Sequence, residues 1–297
     1  MQKNFKILSF YKFINLIDLD NKKFQIKKNL IDLKLKGTIV ISEEGINGTI
    51  SGLANSIKLF EVFISQLLCF NDFDVKNYSH SNTDPFIKPK VKLKKEVVPI
   101  EKKTWERKGK YIKPQLWNNF ISDPNVLTID IRKPFEYEMG TFVGALDPNV
   151  KNFREFKIFF DNLIKSNIKK KLAIFCTGGV RCEKASDYLF NKGFKNVFQL
   201  EGGILNYLSN TGIDKSKWKG ECFVFDKRVS VNSSMEKGTY EVCFGCRMPV
   251  NQQGKNSHKY EYGVSCNKCH DFLTTNQKKR FKMREINLRE KNHENRS

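Results

Sequence analysis

Apolar and polar residues alternate in short runs over residues 1–87, and the period switches between strand and helix. FKILSFYKF (Phe5 to Phe13) reads as a strand. Asp20 caps a predicted helix through about Leu35, with Phe24, Ile26, Leu30, Ile31 and Leu33 among its apolar positions. GTIVISEEGINGTIS (Gly37 to Ser51) reads as two strands around a glycine-rich turn. A second helix runs from about Asn55 to Phe70, and FDVKNYS follows as a strand. The order βαββαβ predicts a ferredoxin-like sandwich.

Residues 88–113 read as a basic linker, with eleven Lys/Arg against three Glu. Two readings stay open for it, a solvated connection and a nucleic-acid contact; part of it, around Val91 to Val98, is a candidate edge strand. Over 114–212 the pattern becomes βα units. VLTIDI, KLAIFC and NVFQL are short and continuously apolar, as in parallel strands buried on both faces. EKASDYLFNKG and GGILNYLSNTG are helix-like and end at glycine. The fold class is therefore α+β followed by α/β. Residues 213–275 are loop-rich, with four cysteines in two spaced pairs besides Cys222, and 276–297 form a charged tail.

The net charge of +21 favours polyanionic partners, nucleic acid or an anionic membrane surface. Lysine far outnumbers arginine, and Asn, Ile and Phe are abundant, as in an AT-rich genome, so the charge alone does not decide. No apolar run approaches the roughly 18 residues of a membrane span, and the N-terminus lacks a signal-peptide pattern. The expectation is a cytoplasmic protein whose eight cysteines are reduced and serve metal binding or catalysis.

KLAIF delivers Cys176 to the carboxyl end of a predicted parallel strand, where open α/β sheets place their ligands. Thr177, Gly178, Gly179 and Val180 turn the chain toward a helix starting near Arg181 or Cys182. Paired glycines accept positive φ and let amides point inward. Amides at a helix N-terminus stabilise an anion and lower a thiol pKa from about 8.5 toward neutrality. Cys176 is thus the candidate thiolate, with Arg181 closing the cradle. Cys182 is either core-facing or a resolving thiol.

C-T-G-G-V-R resembles the six-residue active-site loop of rhodanese domains. TIDIRKPFEYEMGTFVGAL resembles their D-x-R … E-Y … G-x-x-x-G-A signature, through Asp130, Arg132, Glu136, Tyr137, Gly140, Gly144 and Ala145. QLEGGILNY matches their E-G-G turn. Thr141 departs from the pattern, which usually has histidine there. C-T-G-G-V-R-C-E-K-A-S, the N-terminal S-F-Y-K and E-E-G-I-N, and G-E-C-F-V-F-D-K-R-V (Gly220 to Val229) together resemble the oxygen-dependent tRNA uridine hydroxylases of the rhodanese superfamily. The resemblance implies an acylphosphatase-like first domain and oxidation of the wobble uridine, in the tRNA anticodon loop, to 5-hydroxyuridine. It implies molecular oxygen as co-substrate, and maps the active cysteine, as thiolate or persulfide, onto Cys176.

Cys243-x2-Cys246 and Cys266-x2-Cys269, nineteen residues apart, have structural-zinc spacing. His258 and His270 are alternative ligands. Cys222 stands apart from the set, and Cys69 reads as core. Core packing is expected for Phe272 and Phe281, with base stacking as the alternative. No H-x-D or H-x-E iron pattern and no dinucleotide fingerprint occurs, so the reductant is unidentified. That gap keeps a persulfide sulfurtransferase as the second enzyme reading. A non-catalytic RNA-binding module is a third, opposed by the intact Cys176 and Arg181.

Overall fold

The computed structural model describes residues 4–100, 109–166 and 170–294. The chain begins with β1 (Phe5–Phe13), α1 (Leu19–Asp32), β2 (Lys36–Ser42), β3 (Gly45–Gly52), α2 (Ala54–Leu68) and β4 (Val75–Ser81). The strands lie in the order β4-β1-β3-β2, antiparallel throughout, which is the ferredoxin-like sandwich the sequence predicts. Leu8 and Phe10 of β1, Ile39 and Ile41 of β2 and Ile50 of β3 face Ile26 and Leu30 of α1 and Ile57, Phe60 and Ile64 of α2 in one core. A family of apolar residues that the α1 periodicity counted as inward is split: Ile26 and Leu30 are buried, but Phe24 and Ile31 are exposed. The helix starts beyond Asp18 rather than at a cap from Asp20, which sits in the first turn.

The expected linker is partly built into both sheets. β5 (Pro89–Leu93) adds a parallel edge strand beside β2. β6 (Lys110–Ile112) joins the second sheet beside β10 (Val197–Leu200). Residues 101–108 of that segment lie outside the described residues.

The second sheet is parallel, in the order β6-β10-β9-β7, with β7 (Val126–Asp130) and β9 (Lys171–Phe175). Around it lie α3 (Pro114–Ile121), α4 (Pro134–Met139), α5 (Phe156–Lys165), α6 (Val180–Asn191) and α7 (Gly203–Asn210). β8 (Gly140–Phe142) pairs antiparallel with β11 (Trp218–Gly220). Trp218, Cys222 and Val224 share a core with Trp117, Phe142 and Phe175, so the chain stays with the α/β unit past the expected boundary at 212. The apolar run of β9, buried from Leu172 to Phe175, is what lets the strand lie between helical layers.

A separate compact unit holds Lys237–Ser297 together with Arg228–Ser230. Its hairpin, Glu241–Val242 with Pro249–Val250, carries the first pair of knuckle cysteines. A helix, Thr275–Glu294, occupies most of the expected tail. Arg284 on it donates to the carbonyls of Phe244 and Gly263, both at 2.9 Å, and ties it to the knuckles. Phe272 is 85% exposed, contrary to its expected place in a core. No helix among the described residues is long and apolar enough to cross a membrane.

Candidate functional site

Parallel pairing of β7 with β9 sets Asp130 opposite Phe175, so the chain leaves both strands at the same sheet edge. Cys176 follows at once and is fully buried. The Gly179 amide donates to its Sγ at 3.2 Å. Of the two loop glycines only Gly179 has positive φ, at 94°. A Cβ on Gly178 would meet open space. The turn therefore needs one left-handed residue, not a pair. Val180 opens α6, one residue before the expected start, so the amides of Arg181 and Cys182 in its first turn favour negative charge on the sulfur.

Burial opposes charge on Cys176. A hydrogen bond from the Cys182 thiol, the Arg181 charge and the two amides outweigh it and bring the thiol down to about 6. Burial, and the neighbouring Cys176, push the Cys182 thiol well above its ordinary range, so it stays protonated as a donor. Cys222 is pushed up to about 12 by burial, against the opposing charge of Arg132.

Arg181 does more than close the cradle. Its guanidinium grips both oxygens of Glu136, at 2.8 and 2.9 Å, and reaches Thr177 Oγ1 at 3.2 Å. Glu136 is held in turn by its helix start: Pro134 opens α4, and the Lys133 amide donates to Glu136 Oε2 at 3.0 Å. Burial would raise the Glu136 carboxyl, but Arg181 above all, then Arg132, hold it down at about 2.

Asp130 and Arg132 bind each other. Nε reaches Oδ1 at 2.8 Å, an Nη reaches Oδ2 at 2.6 Å, and the same Nη meets the Gly140 carbonyl at 2.5 Å. Thr141, in the place of the usual histidine, donates to Asp130 Oδ2 at 2.9 Å. The pair thus braces the β8 turn. The Tyr137 hydroxyl donates to the Ala145 carbonyl at 3.0 Å and closes the same turn.

The E-G-G turn supports the thiol loop from below. The amides of Ile204 and Leu205 donate to the carbonyls of Cys176 and Thr177, both at 3.0 Å. A Cβ on Gly203 would lie 2.5 Å from the Cys176 carbonyl oxygen, so only glycine lets the two backbones approach.

Residues outside the expected site also converge here. Lys184, 1% exposed, meets Glu44 at 2.7 Å and Glu96 at 3.0 Å. The Tyr11 hydroxyl donates to Glu183, and Asn77 donates to the Gly202 carbonyl. The S-F-Y-K, E-E-G-I-N and C-E-K motifs are therefore the two sides of one contact between the first domain and the thiol helix. Their shared membership in one sequence resemblance was the only signal for this.

In the C-terminal unit the sulfurs of Cys243, Cys246, Cys266 and Cys269 all lie within 4.8 Å of one another. Individual separations are 3.9 Å for Cys243–Cys269, 3.7 Å for Cys246–Cys266 and 3.9 Å for Cys266–Cys269. A tetrahedron with Zn–S of about 2.3 Å has edges of about 3.8 Å, so the four thiols fit a zinc ion. His270 is not in the cluster: its Nδ1 faces Asp271 and its Nε2 faces Lys278. Cys69, expected in a core, is exposed just past α2, in left-handed conformation.

A UPF0176 acylphosphatase-like domain model matches residues 5–97, and a rhodanese-like domain model matches residues 113–210. Among solved structures, the rhodanese-like domain of an Anabaena sp. protein aligns at 18% identity, covering 37% of this chain and 78% of that one, with a TM-score of 0.30. An acylphosphatase from Coxiella burnetii aligns at 12% identity, covering 30% and 93%, with a TM-score of 0.24. The tRNA uridine(34) hydroxylase of Pelagibacter ubique (strain HTCC1062) is 50% identical over 291 residues, 97% of this chain and 96% of that protein. With thiol loop, braces and both domains in place along that whole length, the chain belongs to the tRNA uridine(34) hydroxylase family.

Proposed function

We propose that this protein hydroxylates the wobble uridine of tRNA at C5, with Cys176 as the reacting group and molecular oxygen as co-substrate. One observation carries the reading: a chain 50% identical over 97% of its length to a tRNA uridine(34) hydroxylase holds its loop cysteine as a thiolate, with the thiol brought down to about 6. Converting uridine to 5-hydroxyuridine with oxygen consumes two electrons and two protons and releases water, so a reductant is part of the reaction. Cys176 acts as thiolate or as persulfide. Gly179 supplies an amide to the sulfur, Cys182 donates to it, and Arg181 adds a positive charge whose direction Glu136 fixes.

Cys176 is fully buried, so the base has to be admitted to it. An anticodon-loop base is unpaired, and extruding it costs only unstacking. Cys243, Cys246, Cys266 and Cys269 hold one zinc ion, which supplies folding energy to a loop-rich unit. Reduced thiols and a tRNA substrate fit the cytoplasm.

The test gives purified protein unmodified tRNA, heavy-isotope oxygen gas and a reductant. The isotope is expected in the wobble uridine, and Cys176→Ser abolishes it. Label that persists in Cys176→Ser removes the thiol loop from the mechanism. Sulfur incorporated without oxygen shows the persulfide transfer that the rhodanese loop also suits.

A further inference from the structure

Tyr11 lies on β1, far in sequence from the thiol loop, yet packs against it and is only 3% exposed. Its hydroxyl donates to Glu183 Oε1 at 2.9 Å. Tyr111, on β6, donates to the same oxygen. The phenol also covers Gly179: a Cβ built there would stand 3.2 Å from the Tyr11 hydroxyl oxygen and 3.5 Å from Cε1. The Gly179 amide donates to Cys176 Sγ. A continuous path of contacts thus runs from a side chain of the first domain to the sulfur of the second.

Phenylalanine would fill the same space. A buried hydroxyl is costly unless it finds a partner, and the partner here is a buried carboxylate in the first turn of the thiol helix. Glu183 and the Cys176 thiolate are two anions in one region of low dielectric, where each raises the cost of the other. Hydroxyl dipoles aimed at Glu183 stabilise its charge and weaken its field at the sulfur. Burial first, then the Glu183 charge, push the Tyr11 phenol well above its usual range, so it remains a donor.

We propose that Tyr11 is a positioning residue for the Cys176 thiolate, acting through Glu183 and the Gly179 amide, so that the first domain is part of the reactive site. The proposal rests on the reading of Cys176 as the reacting thiolate. The other titratable groups around the sulfur are Arg181 with Glu136 from α4, the Cys182 thiol, Tyr111, and the Asp130–Arg132 pair with Cys222 behind it. Lys184, the next residue of α6, is engaged by Glu44 and Glu96. The Tyr11 hydroxyl bonds to Glu183, so a change at position 11 is transmitted through that carboxylate.

The test follows iodoacetamide alkylation of Cys176 against pH in the full-length protein, by mass spectrometry of its peptide, without tRNA or oxygen. Tyr11→Phe keeps the ring and loses the donor. Its alkylation midpoint is expected to rise by about half a pH unit, roughly threefold less alkylation below the midpoint. Adding Glu183→Gln, which removes the charge, is expected to return the midpoint to the wild-type value or below. Glu183→Gln alone is expected to lower it, an arm that does not depend on Tyr11→Phe folding well. An acidic wild-type midpoint that Tyr11→Phe leaves in place overturns the role of Tyr11. So does a rise that Glu183→Gln fails to reverse, or a Glu183→Gln midpoint that does not fall. A wild-type midpoint in the ordinary thiol range overturns instead the reading of Cys176 as a thiolate, and with it the proposal.

Discussion

Arg181 and Glu136 meet through two parallel hydrogen bonds, 2.8 and 2.9 Å long, across forty-five residues of sequence. The fork geometry fixes the plane of the guanidinium, which a single contact would leave free to swing. A third N–H reaches Thr177, so the same side chain also holds the loop that carries Cys176. Glu136 therefore gives the thiol site its orientation, while neutralising part of the charge that Arg181 brings.

Arg181→Ala strands a carboxylate that is 1% exposed, and is expected to cost about 3–5 kcal/mol of stability by urea unfolding. Adding Glu136→Gln is expected to recover part of that stability without recovering hydroxylation. The Glu136 carboxyl sits at about 2, below its unfolded value of roughly 4.3. Its contribution is thus complete above the unfolded value and is lost as pH falls toward 2. Glu136→Gln should weaken the dependence of stability on pH in that window; an unchanged profile would remove the ion pair from acid unfolding.

The Cys176 thiol titrates at about 6, below an unfolded value of roughly 8.5. Hydroxylation limited by the thiolate should therefore rise through pH 6 and level off. The stability contributed by the thiolate is complete above the unfolded value and is lost as pH falls through 6. Cys182→Ala removes the donor and should move the activity midpoint upward. A midpoint that stays in place would make Cys182 a packing residue.

Purified protein should contain about one zinc per chain. Cys266→Ser should lose the metal and lower the melting temperature, because the ligand set supplies folding energy to its unit. Full zinc and full thermal stability in that variant would show that the four sulfurs are not the ligands.

Lys90 and Lys92 are exposed on the edge strand β5, and Lys94 and Lys95 follow, also exposed. If this row meets tRNA phosphates, charge reversal at Lys92, Lys94 and Lys95 should weaken binding and flatten its salt dependence by about one logarithmic unit of slope per lost contact. Unchanged affinity and slope would leave the row as solvated surface.

What the sequence determined by itself is what neighbouring residues decide. The strand–helix alternation of the first domain depends on period, and it emerges as β4-β1-β3-β2. The thiol loop is local: a strand end, a left-handed glycine and a helix start within a few residues. The paired Cys-x2-Cys spacing is local too, and the four sulfurs come together. Local reading also had local failures. Cys69 follows a helix whose apolar stripe ends at Leu68, and Phe272 lies exposed in a short turn where the next residue, Leu273, is the one that packs against the cysteine cluster.

Only the tertiary structure decided which distant charges meet. Lys184 finds Glu44 across 140 residues and Tyr11 finds Glu183 across 172, because the first domain packs against the helix that leaves the second domain's thiol loop. Periodicity says that a residue lies on a face, but not what covers that face. For a lysine in an amphipathic helix, solvent is the ordinary expectation. Lys184 is buried instead because Glu44 and Glu96 offset the desolvation of its ammonium, and that compensation exists only once both domains have folded and docked.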